Sequence, residues 1–577
     1  MKINDVEKIT GLTSKAIRLY ESKGLITVRR DENGYRNYSD KDVNILKNIK
    51  LLRSVGISIS DIKLYLFGVV SVNELMDKRK AEILNESGQN SEKYRICDKL
   101  SQNNSLEDFN HIESFNEYEE TEKKDYGDVS IGIDIGTTTV SAVIYDIDSC
   151  EQVESFCAPY NSNVYSDFRS EQNVSIIMEK TEKLLCRILD SYKNVVSIGV
   201  TGQMHGIVYI DKEGNAVSNL INWQDKRGDK PFKDGKTVCQ RIFDITKETV
   251  YTGYGICTHY YNVLNGEVPK KATSFVSIMD YFVMKICGLD KVTVHSSVAS
   301  SFGFFDIRKN EFKKDKLSLL GIEASFLPSV TNESIVVGKL REIPVSIAIG
   351  DNQASFLGSV SENNDSVLIN IGTGSQISSV SEYCEADGDI EIRPFIEGKY
   401  LICAAALCGG YAYSMVESFF RSYILSVGME NISQYKVINN LAKDAYEKGE
   451  KGLDIDVSFF GKRSNPNLRG SVKMIDNQNF TPSNLILGVL KGMCNELYEL
   501  YGLFPQKKNK AVASGGAVKK NEVLKSLIGD TFNVSVYTSK VGEETATGVS
   551  LFSAFATKKI EYNDGFGKYI KYQGSDL

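Results

Sequence analysis

Residues 129–145 read VSIGIDIGTTTVSAVIY. An apolar run reaches Ile133, and Asp134 follows. Gly136 then opens a turn of three hydroxyls, Thr137, Thr138 and Thr139, before a second apolar run leaves through Tyr145. The pattern predicts a β-hairpin whose tip carries an acid beside hydroxyls and backbone N–H groups. Gly136 lets backbone come close to a bound group, and amides and hydroxyls donate to phosphate oxygens. Asp134 would repel a phosphate, so its natural place is beside a Mg²⁺ ion or the water around it. The alternative for this stretch alone is an ordinary glycine–threonine hairpin tip.

The pattern returns about 230 residues later. Residues 367–380 read VLINIGTGSQISSV, again an apolar run, a turn of Gly372, Thr373, Gly374 and Ser375, and a second apolar run. Two such hairpins predict two similar lobes facing each other across a cleft. A third turn, Ala513-Ser514-Gly515-Gly516-Ala517, follows an apolar segment and precedes a helical pattern through Leu524 and Leu527. In this order the three turns resemble the phosphate-1, phosphate-2 and adenosine motifs of the FGGY carbohydrate kinases, within the actin-like ATPase superfamily. The resemblance covers Val129 to about Ala556. It implies an α/β actin-like, ribonuclease H-like, two-lobed kinase that uses ATP and Mg²⁺. Asp134 would hold the metal through water, and Gly136, Thr137, Thr138, Thr139, Gly372, Thr373 and Gly374 would hold phosphates. Gly409, in Cys408-Gly409-Gly410, and Gly516 and Asn521 would face the nucleotide.

At 577 residues the chain exceeds a single core, so two or more domains are expected. Hydrophobic residues make up 42% and charged residues 25%, the balance of a soluble globular protein. The first ten residues lack an apolar signal core, and no apolar run reaches the roughly 18 residues a span requires, so a cytoplasmic protein without membrane contact is expected. Eleven scattered cysteines then read as reduced thiols. Charge is uneven. Residues 1–66 hold 13 Lys and Arg against 8 Asp and Glu, whereas the whole chain carries −7. A basic head on an acidic body predicts that the head alone meets nucleic acid.

The head reads as a helix from Ile3 to Ile9, a turn, and a second helix from Ser14 to Ser22 capped by Thr13 or Ser14. A wing-like hairpin, Val28 to Tyr38, turns at Asn33-Gly34, and two helices follow, Asp40 to Val55 and Ser58 to Leu66. This is helix-turn-helix spacing. The runs Ile17-Arg18-Leu19-Tyr20-Glu21, Gly24-Leu25-Ile26, Asn33-Gly34-Tyr35-Arg36-Asn37-Tyr38 and Leu52-Arg53-Ser54-Val55-Gly56 resemble the MerR family of transcriptional regulators. The resemblance implies a winged helix-turn-helix domain, predominantly α, over residues 1–70, binding double-stranded DNA. Lys15, Arg18, Tyr20, Arg29 and Arg36 are the expected DNA-facing residues. The alternative for Tyr20, Tyr35 and Tyr38 is core packing, and it is preferred for Tyr35. By analogy with the family, Ser71 to Leu100 would serve as a dimerisation helix. Its apolar positions are Leu75, Met76, Ile83, Leu84, Tyr94, Ile96 and Leu100, with Gly88 interrupting. The polar run to residue 128, which includes Glu117 to Asp125, reads as a mobile tether, so residues 71–128 are a helix and linker.

The body divides into an N-terminal lobe, 129–360, and a C-terminal lobe, 361–577. Residues 195–200 form an apolar strand that ends in Thr201-Gly202-Gln203-Met204-His205-Gly206. A polar cluster at a strand's end is a usual ligand position. It resembles the sugar-contacting turn of xylulokinase-type enzymes, which assigns Gln203, Met204 and His205 to the sugar. Residues 221–228, INWQDKRG, hold the single tryptophan, and Trp223 with Asp225 supplies a flat apolar face and an acid suited to a carbohydrate. Tyr254 in Thr252-Gly253-Tyr254-Gly255 joins them. This combination looks most like sedoheptulokinase-type sequences. Gly235-Lys236-Thr237 ends like a P-loop but lacks the earlier glycine, because Lys230 stands there. Finally, the strand 345–349 runs into Gly350-Asp351-Asn352. An acid after a buried strand suits a general base, the role the family gives it, with Asn352 on a sugar hydroxyl; Asp351 could also cap the following helix. The reading is ATP-dependent phosphorylation of a ketose on its terminal primary hydroxyl, sedoheptulose first and a xylulose-type sugar next. The rival is a DNA-binding sensor with a kinase-like body. A flexible tether transmits position poorly, so only weak coupling between sugar and DNA is expected unless head and body touch.

Overall fold

The strand Val129–Ile135 forms because its residues are β-branched or small and face apolar surroundings on both sides; six of its seven positions are buried. It pairs antiparallel with Thr139–Asp146 and parallel with Val195–Gly202. The computed structural model of the chain describes residues 1–30, 33, 35–87, 94, 97–98, 100–101, 123–291, 293–385, 390–429, 431–462, 465 and 467–573. In it this strand lies inside a seven-stranded sheet, between Val195–Gly202 and Thr139–Asp146, with Glu151–Pro159 at one edge and Val336–Leu340 at the other. A six-stranded sheet repeats the plan. There Ser366–Ile371 pairs antiparallel with Ser375–Ser381 and parallel with Lys510–Ser514. Each sheet thus carries one of the two hairpins.

Two helices, Asp351–Ser359 and Glu544–Ala556, lie between the sheets. They touch backbone to backbone. A Cβ at Gly358 would stand 1.8 Å from the Glu544 carbonyl oxygen, and one at Gly548 would stand 1.8 Å from that of Ala354. The later helix also lies on the first sheet, where Gly132 and Gly199 leave room for the carbonyls of Ala546 and Val549. Glu544–Ala556, late in the chain, thus returns to the first sheet.

The head consists of helices Ile3–Thr10, Ser14–Ser22, Asp40–Ser54 and Ile59–Leu66, with a short antiparallel wing pairing Arg29–Arg30 with Arg36–Asn37. Thr13, rather than Ser14, caps the second helix by accepting from the Ala16 amide at 3.2 Å. Tyr20 and Tyr38 are buried with Val6, Ile17 and Leu46, whereas Tyr35 is 72% exposed. The expected preference is thus reversed. Tyr20 faces the core because it lies one helical turn from Ile17, and Tyr35 stands out on the wing. Gly34, the wing's turn glycine, lies outside the described residues, as do Gly88, Ile96 and tether residues Glu117 to Glu122. A helix continues from Val72 to Ser87.

Head and body are in direct contact. The helix Ile59–Leu66 packs on the edge strand Glu151–Pro159. Lys63 is buried there, its Nζ donating to Glu154 at 2.7 Å. The rings of Phe67, Phe156 and Tyr192 surround that ammonium with centroids at 5.3, 5.2 and 5.9 Å. Lys124 also reaches Glu154, at 3.3 Å, and the Tyr192 hydroxyl donates to it. Burial pushes Lys63 down to about 8, because it shares its one acid with Lys124. Glu154 is opposed by burial, yet its two lysines and the Tyr192 hydroxyl hold it below the usual carboxylate range. Higher up, Lys180 joins Glu74, in the helix that follows the head, to the Pro159 carbonyl.

Replacing Glu154 by Gln leaves a buried ammonium without its acid, a loss on the order of 3–5 kcal/mol. Amide hydrogen exchange in residues 59–67 and 151–159 should accelerate strongly in Glu154→Gln. Protection should largely return in the double variant Lys63→Met with Glu154→Gln, and unchanged exchange in the single variant would show that the contact is not held by this pair.

Candidate active site

Three parallel strands end side by side in the first sheet. Asp134 pairs in register with Thr201, and Ile349 and Gly350 pair with Thr201 and Gly202. Their carboxyl ends bring Asp134, the turn Gln203–His205 and Asp351 to one place, the usual ligand position in such sheets. There they line a cavity of about 510 Å³ together with Gly136, Thr137, Trp223 and Asn352 from the first lobe. Asn370 and Gln376 from the second sheet, and Thr545 from the returning helix, close the other side. Asp351 is the first residue of its helix, and Gly350 takes the cap position. The carboxylate therefore does not cap; it stands at the positive end of the helix and faces the cavity.

The acids sit close enough to feel each other. Burial, then Asp351, then Glu543, push the Asp134 carboxyl up to about 7. Burial also raises Asp351, against the nearby Arg393 guanidinium and hydrogen bonds from Asn352. Asn352 donates to Asp351 at 3.0 Å and accepts from Gln376 at 2.9 Å. Its amide is thus committed to orienting the acid and to joining the two lobes, a use that sequence reading, which gave it to a sugar hydroxyl, did not foresee.

The first turn is shaped by its neighbours. The Gly136 carbonyl accepts from Gln203 Nε2 and from the Tyr160 hydroxyl, and the Thr137 carbonyl accepts from Gln172 Nε2 at 2.7 Å. The Gly136 amide donates to the Thr139 carbonyl, which closes the turn. With the carbonyls held, the amides of Thr137 and Thr138 have no hydrogen bond to the described protein and are available to a ligand. Trp223 is 47% exposed and donates from Nε1 to Thr137 Oγ1 at 3.0 Å. In the second lobe Gly409 and Gly410 donate to the carbonyls of Thr373 and Gly372, and a Cβ on Gly409 would meet Gly374 at 2.4 Å. Gly409 thus backs the second turn. Gly516 opens a short helix with free space around it, while Asn521 is taken up in capping the helix Glu522–Phe532 and bonding Asn439.

On the other side of the cavity, His205 has φ +71°, a left-handed conformation unusual for a non-glycine residue and typical of ligand turns. Its ring stacks on Tyr254 at 4.3 Å. The Ser301 carbonyl 2.8 Å from Nδ1 fixes the proton there, which leaves Nε2 as an acceptor. Gln203 Oε1 is buried without a protein partner among the described residues. Met204 and His205 also border a second cavity of about 530 Å³, lined by Tyr254 and Arg393. Arg393 bonds Glu391, and its Nη1 is buried without a partner among the described residues. No motif marked Arg393, and Gln376 lies in the second hairpin but was given no role there; both come from strands of the second sheet that reach the first lobe only on folding. Asp225 departs from expectation. It is fully buried, and its two oxygens accept from the Ser170 amide and from Arg227 N, Nε and Nη2. Its hydrogen-bonding capacity is spent on pinning the Trp223 loop.

On the head, Lys15, Arg18 and Arg29 are exposed, and Arg36 is half-buried with Nε 2.6 Å from Glu21. Tyr20 is a core residue and is not available to DNA.

Comparison with known proteins follows the same division. Residues 129–358 match the FGGY family of carbohydrate kinases, N-terminal domain, and residues 1–67 match the MerR HTH family regulatory protein. Sedoheptulokinase of Homo sapiens is 25% identical over 450 residues, covering 70% of this chain and 93% of that protein. Xylulose kinase of Staphylococcus xylosus is 26% identical over 468 residues, covering 77% and 94%. Ligand-bound xylulose kinase from Lactobacillus acidophilus has the same fold, with a TM-score of 0.67 at 18% identity over 77% of this chain and 93% of that one. For Plasmodium falciparum glycerol kinase with ADP the TM-score is 0.63 at 17% identity, over 76% and 92%. No described helix is long and apolar enough to cross a membrane. Residues 1–67 thus carry a MerR-type helix-turn-helix and residues 129–358 an FGGY carbohydrate-kinase N-terminal domain, in a body with the fold of known sugar kinases.

Proposed function

We propose that the body transfers the γ-phosphoryl group of ATP to the terminal primary hydroxyl of a ketose, with sedoheptulose favoured and a xylulose-type sugar next, and that the head binds duplex DNA. The observation that carries the reading is the meeting of Asp351 and Asp134 in one cavity beside a turn with unused amides. Asp351 takes the proton of the attacking hydroxyl, held in place by Asn352 and Gln376. The amides and hydroxyls of Thr137, Thr138 and Thr373 hold the phosphates, and Gln203, Met204 and His205 hold the sugar. Positioning and electrostatics do most of the work in such a transfer. The second cavity behind His205 and Tyr254 favours a long ketose, whose far hydroxyls would reach Arg393.

The residues fit a divalent cation. Asp134, Asp351 and Glu543 crowd negative charge around the first turn, and Asp134 is forced toward its protonated form without a counter-charge. Among the described residues no cluster of three or more His, Cys, Asp or Glu makes a ready ion cage, so Asp134 would hold the ion jointly with the nucleotide's own oxygens. Bound Mg²⁺ would neutralise charge on the β- and γ-phosphates. The sensor reading, in which the body binds sugar without turnover, draws no support from the acids, since both candidates remain in place.

Asp351→Asn keeps the shape of the site but removes the base. Turnover of the ketose should fall on the order of 10²–10⁴-fold with sugar binding kept, and wild-type turnover in this variant would remove Asp351 from the chemistry.

The pH profile gives an independent check. The base works ionised, and its value in the ligand-free protein is raised, so kcat/KM should climb with pH along a limb lying above the ordinary carboxylate range. The Arg393 charge opposes that rise, so Arg393→Met should move the limb to still higher pH. A limb that stays put would separate Arg393 from the acid.

For the head, full-length protein should bind duplex DNA with strong salt dependence. Arg18→Ala should weaken binding and lower the slope of log affinity against log salt by about one unit, as expected for one lost phosphate contact. An unchanged slope would place Arg18 off the backbone.

A further inference from the structure

Two thiols touch beside the loop that carries Trp223, and the reaction above uses neither. Cys239 is the second residue of the helix Val238–Thr246, and Cys257 is the third of the helix Gly255–Asn265. Their Sγ atoms lie 3.5 Å apart. Both helices pack on the short turn Arg227–Asp229 and on each other. Cys239 is half-buried, and Cys257 behind it is fully buried. The contact with Cys257 holds the Cys239 thiol below its usual value, against burial and the nearby Asp229 carboxylate. The same contact, together with burial, holds the Cys257 thiol well above its own. The pair thus divides the parts that peroxide-sensitive thiols need. One sulfur is more accessible and more readily ionised, and a neutral thiol stands within reach of it. Among the described residues no cluster of three or more His, Cys, Asp or Glu makes this a metal site.

We propose that Cys239 and Cys257 are an oxidation site, forming a reversible disulfide with hydrogen peroxide, and that this bond resets the loops bearing Trp223 and Tyr254. The Cys239 thiolate attacks peroxide; an S–O bond forms, the O–O bond breaks and hydroxide leaves. Cys239 is then a sulfenic acid. The Cys257 sulfur attacks it; the S–S bond forms, the S–O bond breaks, and the departing hydroxide takes the Cys257 proton as water. In sum, two thiols and one peroxide give one disulfide and two waters. To bond, the sulfurs must close from 3.5 Å to about 2 Å. The surroundings have little slack to absorb that movement. A Cβ on Gly228 would stand 2.6 Å from Cys257 Sγ, so this sulfur lies against the backbone of the Trp223 loop. Thr252 Oγ1 donates to the Asp225 carbonyl at 3.3 Å, and a Cβ on Gly253 would meet the Trp223 carbonyl oxygen at 2.1 Å. Tyr254, three residues before Cys257, carries the ring that stacks on His205. The disulfide would close residues 239–257 into a ring that holds all these contacts, so movement at the sulfurs reaches Trp223 and Tyr254. The thiol pair stands on its own geometry; that its effect falls on a ketose rests on the kinase reading.

The test uses the full-length protein, fully reduced and then exposed to a small excess of hydrogen peroxide. Remaining thiols are blocked with N-ethylmaleimide, and the digest is read by mass spectrometry. A peptide pair linked through Cys239 and Cys257 should appear before any other cysteine is oxidised, and dithiothreitol should remove it. Cys239→Ser should abolish the linked pair. In Cys257→Ser the sulfenic acid at Cys239 should persist and be trapped by dimedone. Should that buried variant fail to fold, Cys239→Ser at the half-buried position still decides the matter. Trp223 is the single tryptophan, so its emission reports this loop. The emission should shift on oxidation, return with dithiothreitol and stay fixed in Cys239→Ser. Ketose kcat/KM should fall about tenfold in the oxidised protein, since a misplacement of an ångström can cost up to about 10²-fold, while the KM for ATP should not move. Oxidation of other cysteines before this pair, or a linked pair with unmoved emission, would overturn the proposal. A reduced protein that turns over no ketose would overturn the kinase reading alone, and the linked peptide and the emission would still decide the thiol pair.

Discussion

The backbone contact between Asp351–Ser359 and Glu544–Ala556 is the constraint on which the site depends. Gly358 and Gly548 let the two helices approach until any side chain between them would strike a carbonyl at 1.8 Å. Such a contact leaves little room to slide, because packed interiors have almost no spare volume. Each helix begins at the cavity: Asp351 opens one, and Thr545 lies in the first turn of the other. The spacing between the acid and the second lobe is thus set by glycines that never meet a ligand.

Much of this was legible in the chain before folding. The two hairpins, the acid after the strand 345–349 and the head's helices could be read because each rests on local patterning: alternation, turn glycines and caps. What was not legible depends on residues far apart in sequence. Gln376 meets Asn352 across the cleft, and Arg393 approaches Asp351 only when the second sheet has formed. Asp225 looked like a ligand because of its company in INWQDKRG, yet the same loop supplies Arg227, which occupies it. Tyr20 and Tyr35 are equivalent in composition, and only three-dimensional packing sends one inward and the other out.

The contact between head and body is the clearest case of this kind. Lys63 lies 91 residues before its acid, in a helix whose pattern reads as ordinary core. Its burial makes sense only with Phe156 and Tyr192 already in place. The sequence between the two suggested a tether, and composition has no means of reporting that both ends are anchored. A tether's stiffness therefore matters less here than the chemistry of the surfaces it joins, and head and body share a wall.

That wall has a further meaning. Glu151–Pro159 is the last strand of its sheet, and open sheet edges are places where chains add to one another and aggregate. Natural proteins blunt such edges with charge, with twist or by covering them. Here an entire domain packs on the edge strand, with a lysine set into it. Whatever else the head does, it covers that edge, and a body from which the head had been cut would leave the strand open to the addition of another chain.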